Sequence, residues 1–311
     1  MNKIIFKSLI ETLLRPISPL IKHWALKYST RPKNAPYFLK RLLVFLDLHL
    51  SCEAKLINGH KIIVDPYDAV GGEIYRNGLF EPETVDFINN NLKEGMTFID
   101  IGANIGQYTL LASKIVGETG VVVSVEAVPD TFSKLNNNIS INYLKNVASH
   151  NIALSDSEGF TTFHLGHYGN SGASSLKPTI NTGAREIKVR TNTLDNLLYS
   201  LNAIDFIKID VEGAEFMVLS GGKKTLEKFK PMIILEISDD NFTGKYGVST
   251  MDLIALLQEL NYAVFVIKEG GLEKWVEKMK YPSWYNVACI HNSKITNVSS
   301  LIANLSAESL C

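Results

Sequence analysis

Apolar residues recur along this chain with two periods. At the start, Ile5, Phe6, Leu9, Ile10, Leu13 and Leu14 fall on one side of a 3.6-residue helix, and Lys3, Lys7, Glu11 and Arg15 on the other. Pro16 and Pro19 stop that helix, Pro32 and Pro36 mark a second break, and residues 39–50 repeat the amphipathic pattern. From about residue 54 the pattern changes. The runs 55–57 and 60–64 flank Asn58-Gly59, which predicts a β-hairpin with a primed turn. Strand-like runs then follow at 97–101, 121–125, 148–154, 204–209, 232–237, 262–267 and 287–290. They alternate with helical periods at 107–116, 129–144, 214–229 and 250–260. Such alternation predicts right-handed βαβ units: an α/β fold with a mostly parallel sheet and helices on both faces. The expected organisation is a basic, amphipathic helical extension over 1–55, an α/β body over 56–292, and a peripheral tail over 293–311.

With 311 residues, 46% hydrophobic and 20% charged, the composition excludes a disordered chain. The net charge of −1 hides an asymmetry. Residues 1–55 hold ten Lys/Arg against three Asp/Glu, a charge of +7, so the remainder carries −8. A basic amphipathic helix can lie on an anionic membrane surface, which would place residues 1–50 in peripheral contact with the inner face. The alternative is that its apolar face packs on the protein's own body or on a second copy. No apolar run reaches the roughly 18 residues a spanning helix needs. Glu11 and Arg15 interrupt any signal-peptide pattern. Cys52, Cys289 and Cys311 form no pair or ligand cluster, which reads as reduced thiols in a cytoplasmic protein. The acidic body argues against a nucleic-acid partner.

The chemistry concentrates at Phe98-Ile-Asp100-Ile-Gly102-Ala103-Asn104-Ile-Gly106. An apolar strand ends in an acid, turns through two glycines and feeds a helix. Gly102 permits close backbone approach and Gly106 tight helix packing. Glu126, 20 residues beyond Gly106, ends the next strand, where an acid can accept both hydroxyls of a ribose. Asn104 stands where a dinucleotide fingerprint has its second glycine. Asp100 puts an anion beside a helix N-terminus that pyrophosphate would need electropositive. That anion suits a ligand with a sulfonium and an ammonium and no phosphate, which favours S-adenosylmethionine over NAD. In either case Asp100 could instead serve only to bind loop amides.

Four ordered motifs then carry a resemblance: Asp100-x-Gly-Ala-Asn-x-Gly106; Glu126-x-x-Pro129; Lys208-Ile-Asp210-Val-Glu212-Gly-Ala-Glu215; and Lys230-Pro231 through Glu236. Together with Gly72-Glu73-Ile74, Gly78, Glu81-Pro82 and Ala153-Leu-Ser155-Asp156 with Gly159, they make residues 60–290 resemble the FkbM-type methyltransferases. The resemblance implies a class I, Rossmann-like, seven-stranded fold and a cofactor, S-adenosylmethionine, with O-methylation of a hydroxyl on a sugar, glycan, glycolipid or natural product. It implies cofactor contacts from Glu73, Asp100, Gly102, Ala103, Asn104, Gly106, Glu126, Ala127, Ala153, Ser155 and Asp210. The usual acidic-Pro signature is altered, since Ala127 follows Glu126 and the proline comes at 129.

In such a fold the acceptor approaches over the strand that ends at Asp210. Methyl transfer to an alcohol needs in-line geometry and removal of the hydroxyl proton. Asp210 and Glu212 are candidate bases or ligands for a divalent cation, and Glu236, with Asp210 above all, could complete an oxygen-ligand set for Mg²⁺. The alternative for Asp210 is helix capping, and Glu215 reads as a cap or a partner of Lys208. The Gly/Ser/His-rich stretch 163–175 offers His167 as a further base. His164 reads as structural. Two other functions remain open at this point: a nicotinamide-dependent oxidoreductase, and a non-catalytic membrane-surface or assembly module. A homo-oligomer is compatible with all of them.

Overall fold

The computed structural model describes residues 51–164, 186–238, 247–277 and 279–295. The helices expected within 1–50, the loop bearing His167 and the tail beyond 295 lie outside these residues. The chain divides into two compact units, Met1–Phe80 with Gly166–Gly172 and Glu81–Leu165 with Ala173–Cys311.

In the first unit, β1 (Cys52–Lys55) pairs antiparallel with β2 (Lys61–Val64), so strand structure reaches back into the segment read as a leader. The connection is not the primed turn expected. Gly59 has φ 93 but Asn58 has no positive φ, and the Gly59 amide donates to the Leu56 carbonyl at 2.8 Å. This is the longer turn in which the left-handed residue follows two right-handed ones. Helix α1 (Ala69–Asn77) starts at Asp68, whose side chain accepts from the Gly71 amide, and ends at left-handed Gly78.

The second unit opens with α2 (Pro82–Asn91), β3 (Thr97–Ile101), α3 (Gln107–Val116), β4 (Val121–Val125), α4 (Pro129–Ile141) and β5 (Val147–His150). A small sheet follows, of β6 (Ala153–Leu154), β7 (Gly159–His164) and β8 (Glu186–Asn192), in order β6-β8-β7. After α5 (Leu194–Leu197) come β9 (Phe206–Ile209), α6 (Glu215–Ser220), α7 (Lys223–Phe229) and β10 (Met232–Ser238). The unit closes with α8 (Thr250–Glu259), β11 (Tyr262–Lys268), β12 (Gly271–Lys274) and β13 (Trp284–His291).

The main sheet runs β12-β11-β13-β10-β9-β3-β4-β5. Strands β5, β4, β3, β9 and β10 are parallel neighbours, and β13 inserts antiparallel between β10 and β11. Eight strands stand where seven were expected, because β12 folds back on β11 as an edge hairpin. Every residue of β3 and β9 is buried, which is why, apart from Thr97, Asp100 and Lys208, their sequences are apolar without alternation. The main core lies against one face of the sheet, around Ile99, Ile207, Ile209, Ile233 and Leu235, which the strand registers place side by side.

The run read as one strand at 148–154 divides between two sheets. The Asn151 side chain pins the break by donating to the carbonyls of Glu126 at 2.8 Å and Ala127 at 3.1 Å. The helix read over 214–229 also divides, at Gly221-Gly222. A Cβ on Gly221 would lie 2.2 Å from the Ser155 carbonyl oxygen, and one on Gly222 2.6 Å from Leu194. Chain packing there demands glycine, and helix continuity gives way.

Order reverses between β3 and β9: β4 and β5 extend the sheet on one side, β9 and β10 on the other. In open α/β sheets the crevice beyond the carboxyl ends of strands at such a reversal is where ligands bind. A packing prediction follows from Gly221. By helix propensity alone, Gly221→Ala would stabilise by about 1 kcal/mol. The Ser155 contact reverses the sign, and the variant should lose roughly 2 kcal/mol or more in urea unfolding.

Candidate functional site

The glycine loop starts where β3 ends. Gly102 has φ +80, and a Cβ there would fall 1.8 Å from the Asp210 carbonyl oxygen. The loop at the end of β3 therefore lies directly against the chain leaving β9. The amides of Gly102 and Ala103 both donate to the Val125 carbonyl at 2.9 Å, and the Asp210 amide donates to that of Ile101 at 3.0 Å. Gly106, at φ +100, is the cap of α3, and buried Asn138 donates to the Ile105 carbonyl at 2.8 Å. Asn104 takes φ 50, a conformation Asn tolerates better than most residues.

Glu126, beyond β4, holds the loop from the other side. One carboxylate oxygen accepts the Asn104 amide at 2.9 Å and the other the Val128 amide at 2.8 Å. Each oxygen keeps a second lone pair. Burial pushes its pKa up to about 7, against the pull of the two amides. Ala127 and Ala153 lie together nearby in an apolar cluster with Val128, Phe163 and Val189.

Asp100 is fully buried on β3. Its Oδ2 accepts the Thr109 hydroxyl at 2.6 Å, and that hydroxyl also meets Ser124 at 2.8 Å. Its Oδ1 has no hydrogen-bond partner. Its bonds thus go to α3 rather than to the loop amides. Burial raises its pKa, and Lys208 opposes the rise.

Lys208 appears in the sequence reading only within a motif and as a possible partner of Glu215, with no role in the site. It is 2% exposed in the middle of β9, directly beside Asp100 of β3 in register. Its Nζ lies 2.9 Å from Asp210 Oδ2 and 4.5 Å from the centre of the Tyr108 ring. Burial alone would lower its pKa, but Asp210, Asp100 and Glu81 together raise it. The signal lay in the sequence as a charge inside an otherwise apolar strand, Phe206-Ile-Lys208-Ile.

Glu81, quoted above only as part of the resemblance at Glu81-Pro82, is the second residue given no role. It occupies the cap position of α2 with φ 54 and ψ 71, and its carboxylate caps nothing in that helix. It accepts the Tyr108 hydroxyl at 2.5 Å and a hydrogen bond from Asn286 on β13. Left-handed backbone at a non-glycine residue costs roughly 1–3 kcal/mol. Of the six such residues described, Glu81, Asn104 and Glu212 belong to this crevice.

Carboxylate oxygens of Asp210, Glu212 and Glu236, the three acids considered as oxygen ligands, lie within 4.8 Å of one another. Glu236 pairs with Asn286 in the β10–β13 register. Burial and the neighbouring charges of Asp210, Glu212, Glu215 and Glu81 push its pKa up to about 10. Glu215 is a turn cap: one oxygen accepts the amides of Val211 at 3.0 Å and Gly213 at 3.3 Å, and Lys208 pairs with Asp210 instead.

Other expected contacts sit elsewhere. Ser155 is buried where its chain packs on Gly221, with its amide bonded to the Asn192 carbonyl and its hydroxyl near Met217. Glu73 belongs to the first unit and pairs on α1 with Arg76 and Asn77. His164 ends β7 beside Glu186 at 3.5 Å.

Chemically, the crevice combines a loop open to close approach, an acid able to hold hydroxyls on one side, and a cluster of acidic side chains around Lys208 on the other. Residues 100–264 match the family described as the methyltransferase FkbM domain. No curated relative matches the chain. Among solved structures, similarity extends to a methyltransferase FkbM from Methylobacillus flagellatus KT, with TM-score 0.46 and 15% identity over 67% of this chain and 47% of that one. The chain thus spans about half the length of that protein. An S-adenosylmethionine-dependent O-methyltransferase from Thermotoga maritima gives TM-score 0.39 and 12% identity over 78% of this chain and 92% of the other. A third, an S-adenosylmethionine-dependent methyltransferase from Aquifex aeolicus, gives 0.36 and 18% over 68% and 89%.

The Glu236 carboxyl supplies a test with a definite sign. In the fold it stays protonated up to about 10, against an ordinary value of 4.5. The unfolded chain releases that proton first, so wild-type stability falls as pH rises through this window. Glu236→Gln removes the loss. The variant should melt roughly 5 °C or more above wild type at pH 9 and with it at pH 5. Differential scanning calorimetry at the two pH values checks this.

Proposed function

This chain belongs to the FkbM methyltransferase family, and from that premise we propose that it transfers the methyl group of S-adenosylmethionine to a hydroxyl oxygen on a sugar, glycan, glycolipid or natural-product acceptor. Methyl transfer and the cofactor come with the family; the hydroxyl acceptor and the residue roles are our reading. The observation that carries it is the crevice at the β3/β9 reversal, with Glu126 on one side of the glycine loop and Asp210, Glu212 and Glu236 on the other.

The residues present fit the cofactor. Gly102 leaves the backbone bare, Glu126 retains lone pairs for two ribose hydroxyls, and the buried Asp100 carboxylate has an oxygen without a partner. The acids outnumber the single buried Lys208, which suits a ligand with a sulfonium and an ammonium. Gly102, Ala103, Asn104 and Gly106 form the loop against which it would lie, with Ala127 and Ala153 as the apolar wall. When bound, the cofactor supplies an electrophilic methyl carbon.

The chain's own part is to hold the acceptor hydroxyl and receive its proton. Asp210 is our first candidate for that role, because Lys208 fixes one of its oxygens and leaves the other for the hydroxyl. Glu212 is the second. Glu236 is protonated at neutral pH and therefore positions the acceptor rather than taking its proton. His167 lies outside the described residues, and no step requires it. Nor does any step require a divalent ion at Asp210, Glu212 and Glu236, although their spacing would admit one.

The acidic body suits a small-molecule or glycan acceptor rather than a nucleic acid. Among the described residues no helix is long and apolar enough to cross a membrane. Our reading keeps the protein in the cytoplasm, with residues 1–50 either in contact with an anionic membrane or against a second copy. Deleting 1–50 should leave affinity for S-adenosylhomocysteine unchanged. Loss of pelleting with anionic vesicles in the same variant would favour the membrane, and unchanged pelleting would exclude it.

Glu126 gives the sharper test. An ionised carboxylate accepts both ribose hydroxyls, and with a pKa of about 7 its ionised fraction falls as pH drops below neutral. Affinity for S-adenosylhomocysteine should therefore weaken about tenfold between pH 8 and pH 6. Glu126→Gln should bind about tenfold more weakly at pH 8 and lose the pH dependence. Calorimetric titration reads both, and pH-independent wild-type binding would refute the role. Asp210→Asn should lower transfer of labelled methyl to a panel of sugar and natural-product hydroxyls by about 100-fold.

A further inference from the structure

Glu81 bears two costs with no structural return in its own helix. It adopts φ 54 and ψ 71 immediately before Pro82, where a residue is normally extended. It stands at the cap position, where a carboxylate usually accepts an amide of the helix it begins, and it accepts none. The turn instead sends the half-buried carboxylate to Tyr108 on α3 and Asn286 on β13, residues far apart in sequence. Backbone strain held in place by converging partners is a mark of functional sites.

What Glu81 faces is equally specific. Burial raises its pKa and Lys208 opposes the rise; Lys208, Asp210 and Glu236, the groups within reach of its charge, all lie on the β9/β10 side of the glycine loop. Glu126 holds the opposite side, beyond β4. A cofactor whose ribose is held by Glu126 reaches the Asp210 and Glu81 side with its methionine end, which carries the sulfonium. Lys208 is already engaged by Asp210 at 2.9 Å, so the Glu81 charge is additional to a neutralised pair.

We propose that Glu81 is a specificity-determining residue that discriminates the positively charged methyl donor from its neutral thioether product. This rests on the cofactor reading above and extends it to product exchange. Once the methyl group leaves, the positive charge on sulfur leaves with it. The attraction that Glu81 exerted on the sulfonium then disappears, so fresh donor displaces the product more readily than it would from a cavity of the same shape without that charge.

The test compares S-adenosylmethionine and S-adenosylhomocysteine by calorimetry at pH 8 on the full-length wild type, Glu81→Gln and Glu81→Asn. The preference for the sulfonium form should fall about threefold or more in both variants, mainly through weaker donor binding. Glu81→Asn should also melt no lower than wild type, because Asn tolerates the left-handed backbone and can cap α2. Equal weakening of both ligands, or an unchanged ratio, would overturn the proposal. So would a Glu81→Asn variant melting several degrees lower, which would mark Glu81 as structural. Wild type that binds neither ligand would defeat the cofactor reading instead.

Discussion

Lys208 sits in a strand whose four residues are all buried, and a cation in that position must be met inside the sheet. The surrounding crevice is built around this demand. Asp210 supplies the ion pair from the end of the same strand, Asp100 lies beside Lys208 on β3, and the Tyr108 ring covers the ammonium. Tyr108 in turn orients Glu81. A single charged residue thus joins the helix after the glycine loop, two neighbouring parallel strands and the turn before α2. Removing the cation would leave several carboxylates buried without compensation, which costs far more than the pair itself contributes.

Even with Lys208 the region keeps an excess of acid. Glu236 responds by holding its proton, and one oxygen each of Asp100 and Glu215 is left buried without a hydrogen bond. Such unmet groups are unfavourable in an isolated fold and favourable toward a cationic ligand. The strained residues Glu81, Asn104 and Glu212 belong to the same region. Stability is given up where the ligand is expected, and the apolar strands around Ile207 and Ile233 carry the fold.

Much of this was legible before any coordinates. Strands β3 and β4 and helix α3 begin and end where the apolar periods do, because local pattern and tertiary burial agree there. The glycine loop and Glu126 were legible because close approach and strand-terminal acids leave marks at fixed spacing. Boundaries failed where a distant chain intervened. The 214–229 period reads as one helix, yet Ser155 and Leu194 require glycine at 221 and 222 and divide it there. The turn at Gly59 failed for a different reason, since the Asn-Gly pair fits more than one turn type.

The sequence by itself determined the fold class, the strand alternation, the glycine loop and the family. Each is encoded in short-range periodicity or in motifs whose residues are neighbours along the chain. Only the tertiary structure decided the electrostatics of the site. Glu81, Tyr108, Lys208, Glu236 and Asn286 come from five separate elements, and no spacing along the chain reveals that they meet. Whether a carboxylate is a charged base, a protonated donor or a cap depends on burial and on neighbours. Those are set by which strands lie side by side, a property of the folded sheet and not of any one segment.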